Sequence, residues 1–224
     1  MPQKKNKKIF IYLLLFFIIG TINNKNLNKI YTTYINKITV SGLDKKNNFE
    51  LLNKLNFLKA SNLFFLNQKK IIEIMNANNL VNDYSVYKQY PSTINIKIEK
   101  TVFLAQLKKK NNLFFLGSNG KLIKTDIIQK EIPYIFGEFK LQNFFELKKA
   151  IDETNFDYQE VKNLFFFKLG RWDIEMNNGI LIRLPKDKIK DSLQIVTDIL
   201  SKDQQKLINY VDLRQHNQVV INGK

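Results

Sequence analysis

The chain of 224 residues contains no cysteine, one histidine, eight glycines and four prolines. Without cysteine it can form neither disulfides nor thiolate metal sites, so packing alone has to hold its folded parts together. The glycines are scattered singly, which leaves no glycine-rich loop to cradle a phosphate. The one histidine, His216, stands between Gln215 and Asn217, and this setting is typical of a surface turn rather than of a catalytic base.

The acidic residues offer no catalytic pair either. Asp152, Glu153, Asp157 and Glu160 lie close together, but on a polar, helix-like segment that has the composition of a solvated face. Catalysis requires a base, a nucleophile or a metal held in a pocket, and none can be assigned. We therefore predict a protein that is not an enzyme and that uses no cofactor, metal or small-molecule substrate.

Acidic residues are outnumbered by basic ones. The chain has 36 lysines and arginines but only 20 aspartates and glutamates, which gives a net charge of +16. Such a charge suggests nucleic acid as a ligand. However, arginine, whose bidentate guanidinium suits base and phosphate recognition, occurs only at positions 171, 183 and 214. The lysines come with an excess of Asn, Ile and Phe, as expected from an AT-rich coding sequence. We predict solvated basic faces and no nucleic-acid partner, with anionic lipid or an acidic protein left open.

Long hydrophobic runs are rare, and the sequence has one of note. Four lysines between positions 4 and 8 precede the uncharged run Ile9–Ile22, which is shorter than the roughly 20 residues of a typical spanning helix. Signal-peptide cleavage after Gly20 would place Ile18 where a small residue is needed. We predict an uncleaved signal anchor at 9–25, with a cytoplasmic tail at 1–8, a linker at 26–34 and the rest outside the cytoplasm. The alternative is a buried N-terminal core helix.

The next 65 residues alternate between strand and helix patterns. A strand at Ile35–Val40 ends at Ser41-Gly42, and two helical stripes follow, the second with Asn67 as its cap. Two β-like segments then flank the turn at Pro91. The apolar stripes are Phe49, Leu51, Leu52, Leu55 and Leu58, then Ile71, Ile72, Ile74, Met75 and Leu80; the β-like segments are Tyr84–Tyr87 and Ile94–Glu99.

Hairpin signals dominate from Val102 onward. Asn119-Gly120 and Asn178-Gly179 each stand between two strand-like runs, the strongest short-range indication of a hairpin. Trp172 falls in one of these alternating runs, which predicts a core position. Further patterns predict helices at Phe144–Thr154 and along Ile189, Leu193, Val196 and Leu200, and strands at Phe165–Phe167, Ile208–Leu213 and Val219–Ile221.

Four groups of residues, in this order, resemble the FtsQ/DivIB family of bacterial cell-division proteins. The similarity spans nearly the whole chain. One departure is Val102, which stands where the family usually has proline, so that Ala105 falls one residue late. The four groups are Ile38–Gly42 with two helices and Tyr90–Glu99; Gly117–Gly120 with Ile132-Pro133 and Gly137; Arg171-Trp172-Asp173 with Asn178-Gly179 and Leu184-Pro185; and Val211–Arg214.

The resemblance implies an α+β fold with a single N-terminal transmembrane helix. Residues 35–101 would form a POTRA domain of order β-α-α-β-β, and residues 102–224 a mainly antiparallel β domain with flanking helices. Gly42 would turn the first strand into the first helix, and Pro91 would open the last strand. The full set of structural motif positions is Gly42, Pro91, Glu99, Gly120, Pro133, Trp172, Gly179 and Asp212.

The family resemblance also implies candidate partner-binding residues. A strand that ends a sheet has an unpaired edge, to which a partner segment can add by backbone hydrogen bonding. Val219, Val220 and Ile221 are the candidate edge strand. Arg171 and Arg214 are candidate charged contacts, and the alternative for each arginine is an internal salt bridge.

The function implied is that of a non-catalytic, single-pass inner-membrane scaffold of the division machinery, the divisome. Such a scaffold links early and late division proteins at the septum from the periplasmic side, and its partners are an FtsB-like protein and, through it, an FtsL-like protein. Two alternatives are a POTRA component of protein translocation or assembly, and a cationic protein that binds envelope surfaces. The motifs after residue 160 favour the scaffold.

Overall fold

A computed structural model of the chain divides it into two compact units, residues 1–100 and residues 101–224. Much of the predicted linker, together with residues 23–25 of the predicted anchor and His216, lies outside the described residues. Tyr34, assigned to the linker, already forms an isolated bridge with Asn62. The described residues are 4–22, 34–126, 128–201, 208–215 and 218–223.

The first element, helix α1, covers the basic and apolar residues of the N-terminus. It runs from Lys4 to Ile22, and its side chains from Lys7 to Ile19 are exposed. Within the described ranges, no helix combines the length and the apolar character required to cross a membrane.

The rest of the first unit has the predicted order of strand, helix, helix, strand, strand. Its three strands form a sheet of order β1-β3-β2, in which β1 is parallel and β2 antiparallel to β3. Buried side chains of both helices, including Leu51 and Met75, pack with Ile94 and Ile96 in one core. The elements are β1 (Lys37–Ser41), α2 (Lys45–Lys54), a 3₁₀ turn (Asn56–Ala60), α3 (Gln68–Ala77), β2 (Val81–Gln89) and β3 (Thr93–Lys100).

Short polar residues set where these two helices begin. The Asp44 carboxylate accepts a hydrogen bond from the Asn47 amide at 2.8 Å and so caps α2. Asn67 caps α3 as predicted, by accepting from the Lys69 amide at 3.1 Å.

The predicted helical stripes differ from the observed helices at Phe49, Ile72 and Leu80, and also at Leu55 and Leu58, which are buried but lie beyond the end of α2 at Lys54. Phe49 and Ile72 are 62% and 43% exposed, because each short helix buries only one narrow side against the core. Leu80 lies beyond α3, which ends at Ala77 before the chain turns into β2.

The second unit is built on one nine-stranded sheet of order β12-β11-β10-β9-β8-β7-β4-β5-β6. The two predicted hairpins are confirmed: β5–β6 turns at Gly120 and β9–β10 at Gly179. The elements are β4 (Phe103–Lys109), β5 (Asn112–Gly117), β6 (Leu122–Thr125), β7 (Tyr134–Phe136), α4 (Leu141–Asp152), a 3₁₀ turn (Tyr158–Glu160), β8 (Val161–Phe166), β9 (Trp172–Met176), β10 (Leu181–Arg183), α5 (Ile189–Leu200), β11 (Ile208–Asp212) and β12 (Val220–Gly223).

Two crossover helices decide which face of this sheet is buried. The parallel pairs β7–β8 and β10–β11 are each connected through a helix, α4 and α5 respectively. Both crossovers step toward β12 from strands that point the same way, so the right-handed rule places both helices on the same face. Their buried side chains accordingly share one core with the sheet.

The buried face is a continuous apolar row across five neighbouring strands. Trp172 is also in this core, with its ring 4.8 Å from that of Phe166. The prediction of a buried strand at Phe165–Phe167 was wrong in part: Phe165 and Phe166 lie in β8 but are only partly buried, and Phe167 follows the end of β8 and is 37% exposed. The row, at 0 to 3% exposure, is Ile135, Leu164, Ile174, Ile182 and Val211.

Gly42, in the first unit, leaves no room for a side chain. Its φ is +114°, and an added Cβ would lie 1.8 Å from the Ile98 carbonyl oxygen, a backbone atom that cannot move aside. We expect Gly42→Ala to lower the free energy of unfolding of this unit by at least about 4 kcal/mol. Denaturant unfolding with hydrogen exchange at the β1 and β3 amides measures this.

The matched control is Gly179→Ala. Gly179 also has a positive φ, of +88°, but an added Cβ would meet nothing within 4 Å. Only backbone strain of about 1–2 kcal/mol is expected in the second unit. Equal losses for the two variants would contradict the steric argument.

Candidate functional site

Two of the three residues of the predicted edge strand, Val220 and Ile221, lie in β12 at one end of the nine-stranded sheet, whereas Val219 precedes the strand. β12 pairs antiparallel with β11, with Val220 opposite Asp212 and Ile221 opposite Val211. Among the described strands, β11 is its one sheet neighbour. Val219, Val220 and Ile221 are 40%, 43% and 47% exposed. One side of the β12 backbone is therefore open to a further strand.

Ile221 continues the buried apolar row to the edge of the sheet. Its partner Val211 is fully buried and shares the face covered by α4 and α5. Nearly half of Ile221 is nevertheless exposed. The core row thus ends in an apolar side chain that lacks a neighbour on its outer side, next to an open backbone edge.

The opposite face of the sheet carries a row of aromatic and charged side chains. The Phe136 and Phe165 rings stack with centroids 5.1 Å apart, and Phe136 is 44% exposed. The strand registers place charged residues beside them, up to the edge strand. In order across the sheet, the row is Phe136, Phe165, Asp173, Arg183, Asp212 and Val220.

Asp212 is the centre of the charged part of this row. Its carboxylate accepts from Arg214 Nε at 2.9 Å and Nη2 at 2.5 Å, and from the Arg214 amide at 3.0 Å. Arg183 Nη1 approaches at 3.5 Å from the neighbouring strand. The hydrogen bonds from Arg214 lower the pKa of Asp212. Arg214 therefore forms the internal salt bridge that was the alternative to a partner contact, and the partner contact stays a prediction.

Asp173 lies on the other side of Arg183 and is less well satisfied. It is nearly fully buried, and this burial raises its pKa although Arg171, Arg183 and Arg214 oppose the shift. Arg171 Nε is 3.8 Å from Asp173 Oδ1, and neither atom has a hydrogen-bond partner among the described residues. The Arg171 guanidinium also lies over the Phe167 ring, with 4.5 Å to its centroid.

The fold thus brings all three arginines of the sequence to two neighbouring aspartates. Arg171 and Arg214 were predicted as functional from the family motifs, whereas Arg183 was missed. The register of the Asn178-Gly179 hairpin would have shown it, because this register places Arg183 opposite Asp173. Opposite charges directly across two strands stabilise the pairing.

A groove of about 710 Å³ adjoins the edge strand. It lies between the start of α5 and the connection from β11 to β12. Its lining mixes apolar residues, among them Pro185 and Ile195, with charged ones such as Asp191 and Arg214. Val219 lines it as well, so the groove reaches the residue that directly precedes β12.

The remaining motif positions lie elsewhere. Glu99 is an exposed residue of β3 and Pro91 lies in the β2–β3 turn. The carbonyl of Pro133 accepts from the Gln106 amide at 2.9 Å, just before β7. Across the ranges that the structure describes, no group of three or more His, Asp or Glu side chains is placed to hold a metal ion.

We expect Asp212→Asn to lower the free energy of unfolding of the second unit by about 1–3 kcal/mol at neutral pH, since it leaves Arg214 without its charged acceptor. A lowered carboxyl pKa contributes stability above the unfolded pKa, and this contribution is lost as the pH falls through the folded pKa. The difference between wild type and variant should therefore vanish in acid. Denaturant unfolding followed by the fluorescence of the buried Trp172 measures it.

The control is Asp126→Asn, at an exposed position, which should change stability by less than about 0.5 kcal/mol. A loss at Asp212→Asn that stays constant from neutral to acid pH would show that its charge is not the cause.

Two family models match successive parts of the chain. Residues 33–100 match the FtsQ-type POTRA domain, and residues 105–214 match the C-terminal region of cell division protein FtsQ/DivIB. The two ranges lie within the two units of the structure, one in each, and leave residues 1–32, 101–104 and 215–224 unmatched.

Two relatives that are named cell division proteins agree with these matches. Cell division protein FtsQ of Rickettsia felis is 25% identical over 223 residues, which cover 95% of this chain and 82% of the relative. Cell division protein DivIB of Bacillus subtilis is 21% identical, with coverage of 89% and 78%. The extracytoplasmic domain of DivIB from Geobacillus stearothermophilus aligns at 16% identity and a TM-score of 0.36, over 48% of this chain and 97% of that domain.

The family models, the relatives and the order of the motifs lead to one assignment. The α+β fold, with a small three-stranded unit followed by a large sheet, agrees with it. The chain belongs to the FtsQ/DivIB family of bacterial cell-division proteins.

Proposed function

We propose that the chain is a non-catalytic scaffold of the bacterial division machinery, and that strand β12 is the edge at which it captures a partner. The observation that carries this proposal is the combination of an open backbone edge with the exposed Ile221 at the end of the core row. A strand that pairs with β12 gains main-chain hydrogen bonds along its length.

Side chains of the added strand would follow the two faces of the sheet. Because strand side chains alternate, one set would pack beside Ile221 and extend the apolar row. The other set would lie beside Val220, next to Asp212. The burial of Ile221 supplies affinity, whereas the charges near Asp212 supply register and selectivity.

The charge of this region favours an acidic side chain on the partner. Three arginines surround two aspartates, so the cluster has a positive excess. Of the three arginines, Arg214 is the closest in sequence to β12. It also lines the groove, as Val219 does. An incoming carboxylate could share Arg214 with Asp212, whereas an incoming lysine would be repelled.

For the partners we propose an FtsB-like protein at β12 and, through it, an FtsL-like protein. The family membership supports this choice, because the relatives are themselves named cell division proteins. The proposal requires a partner segment that is extended, apolar on alternate residues and acidic at one end, which is what the geometry of the edge demands.

We propose the following arrangement along the chain: a cytoplasmic tail at 1–8, a single inner-membrane anchor at 9–25, a linker at 26–34, a POTRA domain at 35–101 and a β domain at 102–224. The lysines before the apolar run support this orientation. The two folded units would then lie in the periplasm and concentrate at the division septum.

Ile221→Asp tests the proposed edge. A carboxylate at this position would have to be buried beside the apolar side chains of the added strand, which is costly. We expect capture of an FtsB-like periplasmic segment by the full chain to weaken at least tenfold, or by about 1.4 kcal/mol. Biolayer interferometry with the detergent-solubilised chain gives the affinity.

Val102→Asp is the matched control, because Val102 is an exposed apolar residue of the same unit, at 63% exposure, and adjoins β4 rather than β12. It should leave capture unchanged. Deletion of residues 215–224 should abolish capture while the first unit stays folded. Full capture by both the deletion variant and Ile221→Asp would eliminate the edge-strand proposal, although the family assignment would stand.

A further inference from the structure

One end of the first unit is distinct in both shape and chemistry. β1 and β3 are parallel and start together, with Lys37 opposite Thr93, and β2 ends beside them. The Ile35 amide donates to the Ser61 carbonyl at 3.2 Å, so the connection into α3 reaches the same end. We name this end, formed by residues 34–37, 59–67 and 87–93, the entry end, because the chain enters the unit there.

The entry end exposes a cluster of aromatic side chains. Tyr34 bridges to Asn62, and the Phe64 and Tyr90 rings lie 5.2 Å apart. Tyr34 and Tyr90 are each 58% exposed, Phe64 is 44% exposed and its neighbour Phe65 is 79% exposed. Large aromatic residues gathered at this exposure indicate a contact surface rather than a part of the core.

The charge around these rings has one sign. Lys37, Lys59 and Lys88 are exposed at the entry end, and its three segments contain no aspartate or glutamate. Asp83 and Glu99 pair with each other near the far end of the sheet. All charged residues of the three segments that form the entry end are therefore basic.

The length of the preceding chain ties this surface to helix α1. Eleven residues, 23–33, separate Ile22 from Tyr34. Even fully extended they reach about 40 Å, so the entry end cannot be farther than that from the end of the apolar run. The chain leaves the unit at Lys100, which lies at the opposite end of β3.

We propose that the entry end of the first unit rests on the surface of the bilayer, with its tyrosines and phenylalanines at headgroup level and its lysines on anionic lipid phosphates. Tyr and Lys are residues that favour the membrane interface, and anionic lipid attracts basic residues within a Debye length of the surface. The contact restricts the tilt of the POTRA domain above the membrane. This inference rests on the proposed function, because it needs the anchor at 9–25.

Single spin labels test the contact, and the absence of cysteine makes them selective. The full chain carrying Phe65→Cys or Tyr90→Cys is labelled and reconstituted in vesicles that contain phosphatidylglycerol. Phe49→Cys is the matched control, because Phe49 is 62% exposed in the same unit but lies on α2. We expect the ratio of collisions with oxygen to collisions with a water-soluble nickel complex to be several-fold higher at 65 and 90 than at 49.

Flotation of the same samples after a high-salt wash distinguishes failure of the proposed anchor at 9–25 from failure of the proposed membrane contact of the entry end. If the chain floats and the labels at 65 and 90 match the label at 49, the anchor stands and the membrane contact is refuted. If the chain does not float, the anchor fails, and the contact fails with it. An unchanged ratio in vesicles of phosphatidylcholine alone would overturn the role of anionic lipid.

Discussion

The burial of one face of the nine-stranded sheet is the constraint on which the second unit depends. Two right-handed crossovers step in the same direction and so bring α4 and α5 to the same face. Under these helices, the row from Ile135 to Val211 forms a continuous core. Because β12 lies beyond this cover, Ile221 has the alternation of a core residue and the exposure of a surface residue. The proposed binding edge is thus a direct consequence of where the helical layer ends.

The opposite face of the sheet, which α4 and α5 do not cover, carries a row of charged side chains. Arg183 lies between Asp173 and Asp212, and Arg214 adds a bidentate contact from outside the strand. The two carboxyls respond oppositely, since hydrogen bonds lower the pKa of Asp212 whereas burial raises that of Asp173. Ionised Asp212 therefore stabilises the fold near neutral pH, whereas burial makes ionisation of Asp173 costly and the nearby arginines offset part of that cost. Asp212 belongs to β11, so its ion pairs stabilise the strand that borders the edge strand β12.

Local patterns were sufficient to predict much of this architecture. Hairpins at Gly120 and Gly179 followed from Asn-Gly between strand-like runs, and the cap at Asn67 followed from its residue type. Errors occurred where tertiary contacts decide. Phe49 and Ile72 have helical spacing but lack a neighbour to bury them. The ion pairs of Arg183 follow only from the strand register, which places it opposite Asp173. The parallel pairs through α4 and α5 join segments distant in sequence, which no local pattern specifies.

In the proposed function, the chain acts at the division site by pairing β12 with a strand of its partner. The most direct test images the chain and an FtsB-like partner, each with its own fluorescent label, in dividing cells that contain either the wild-type chain or Ile221→Asp. We expect a midcell band of the chain in both cases as constriction begins, and a partner band with the wild type alone. A partner band that persists with Ile221→Asp, or a chain spread uniformly around the envelope, would contradict the proposed function.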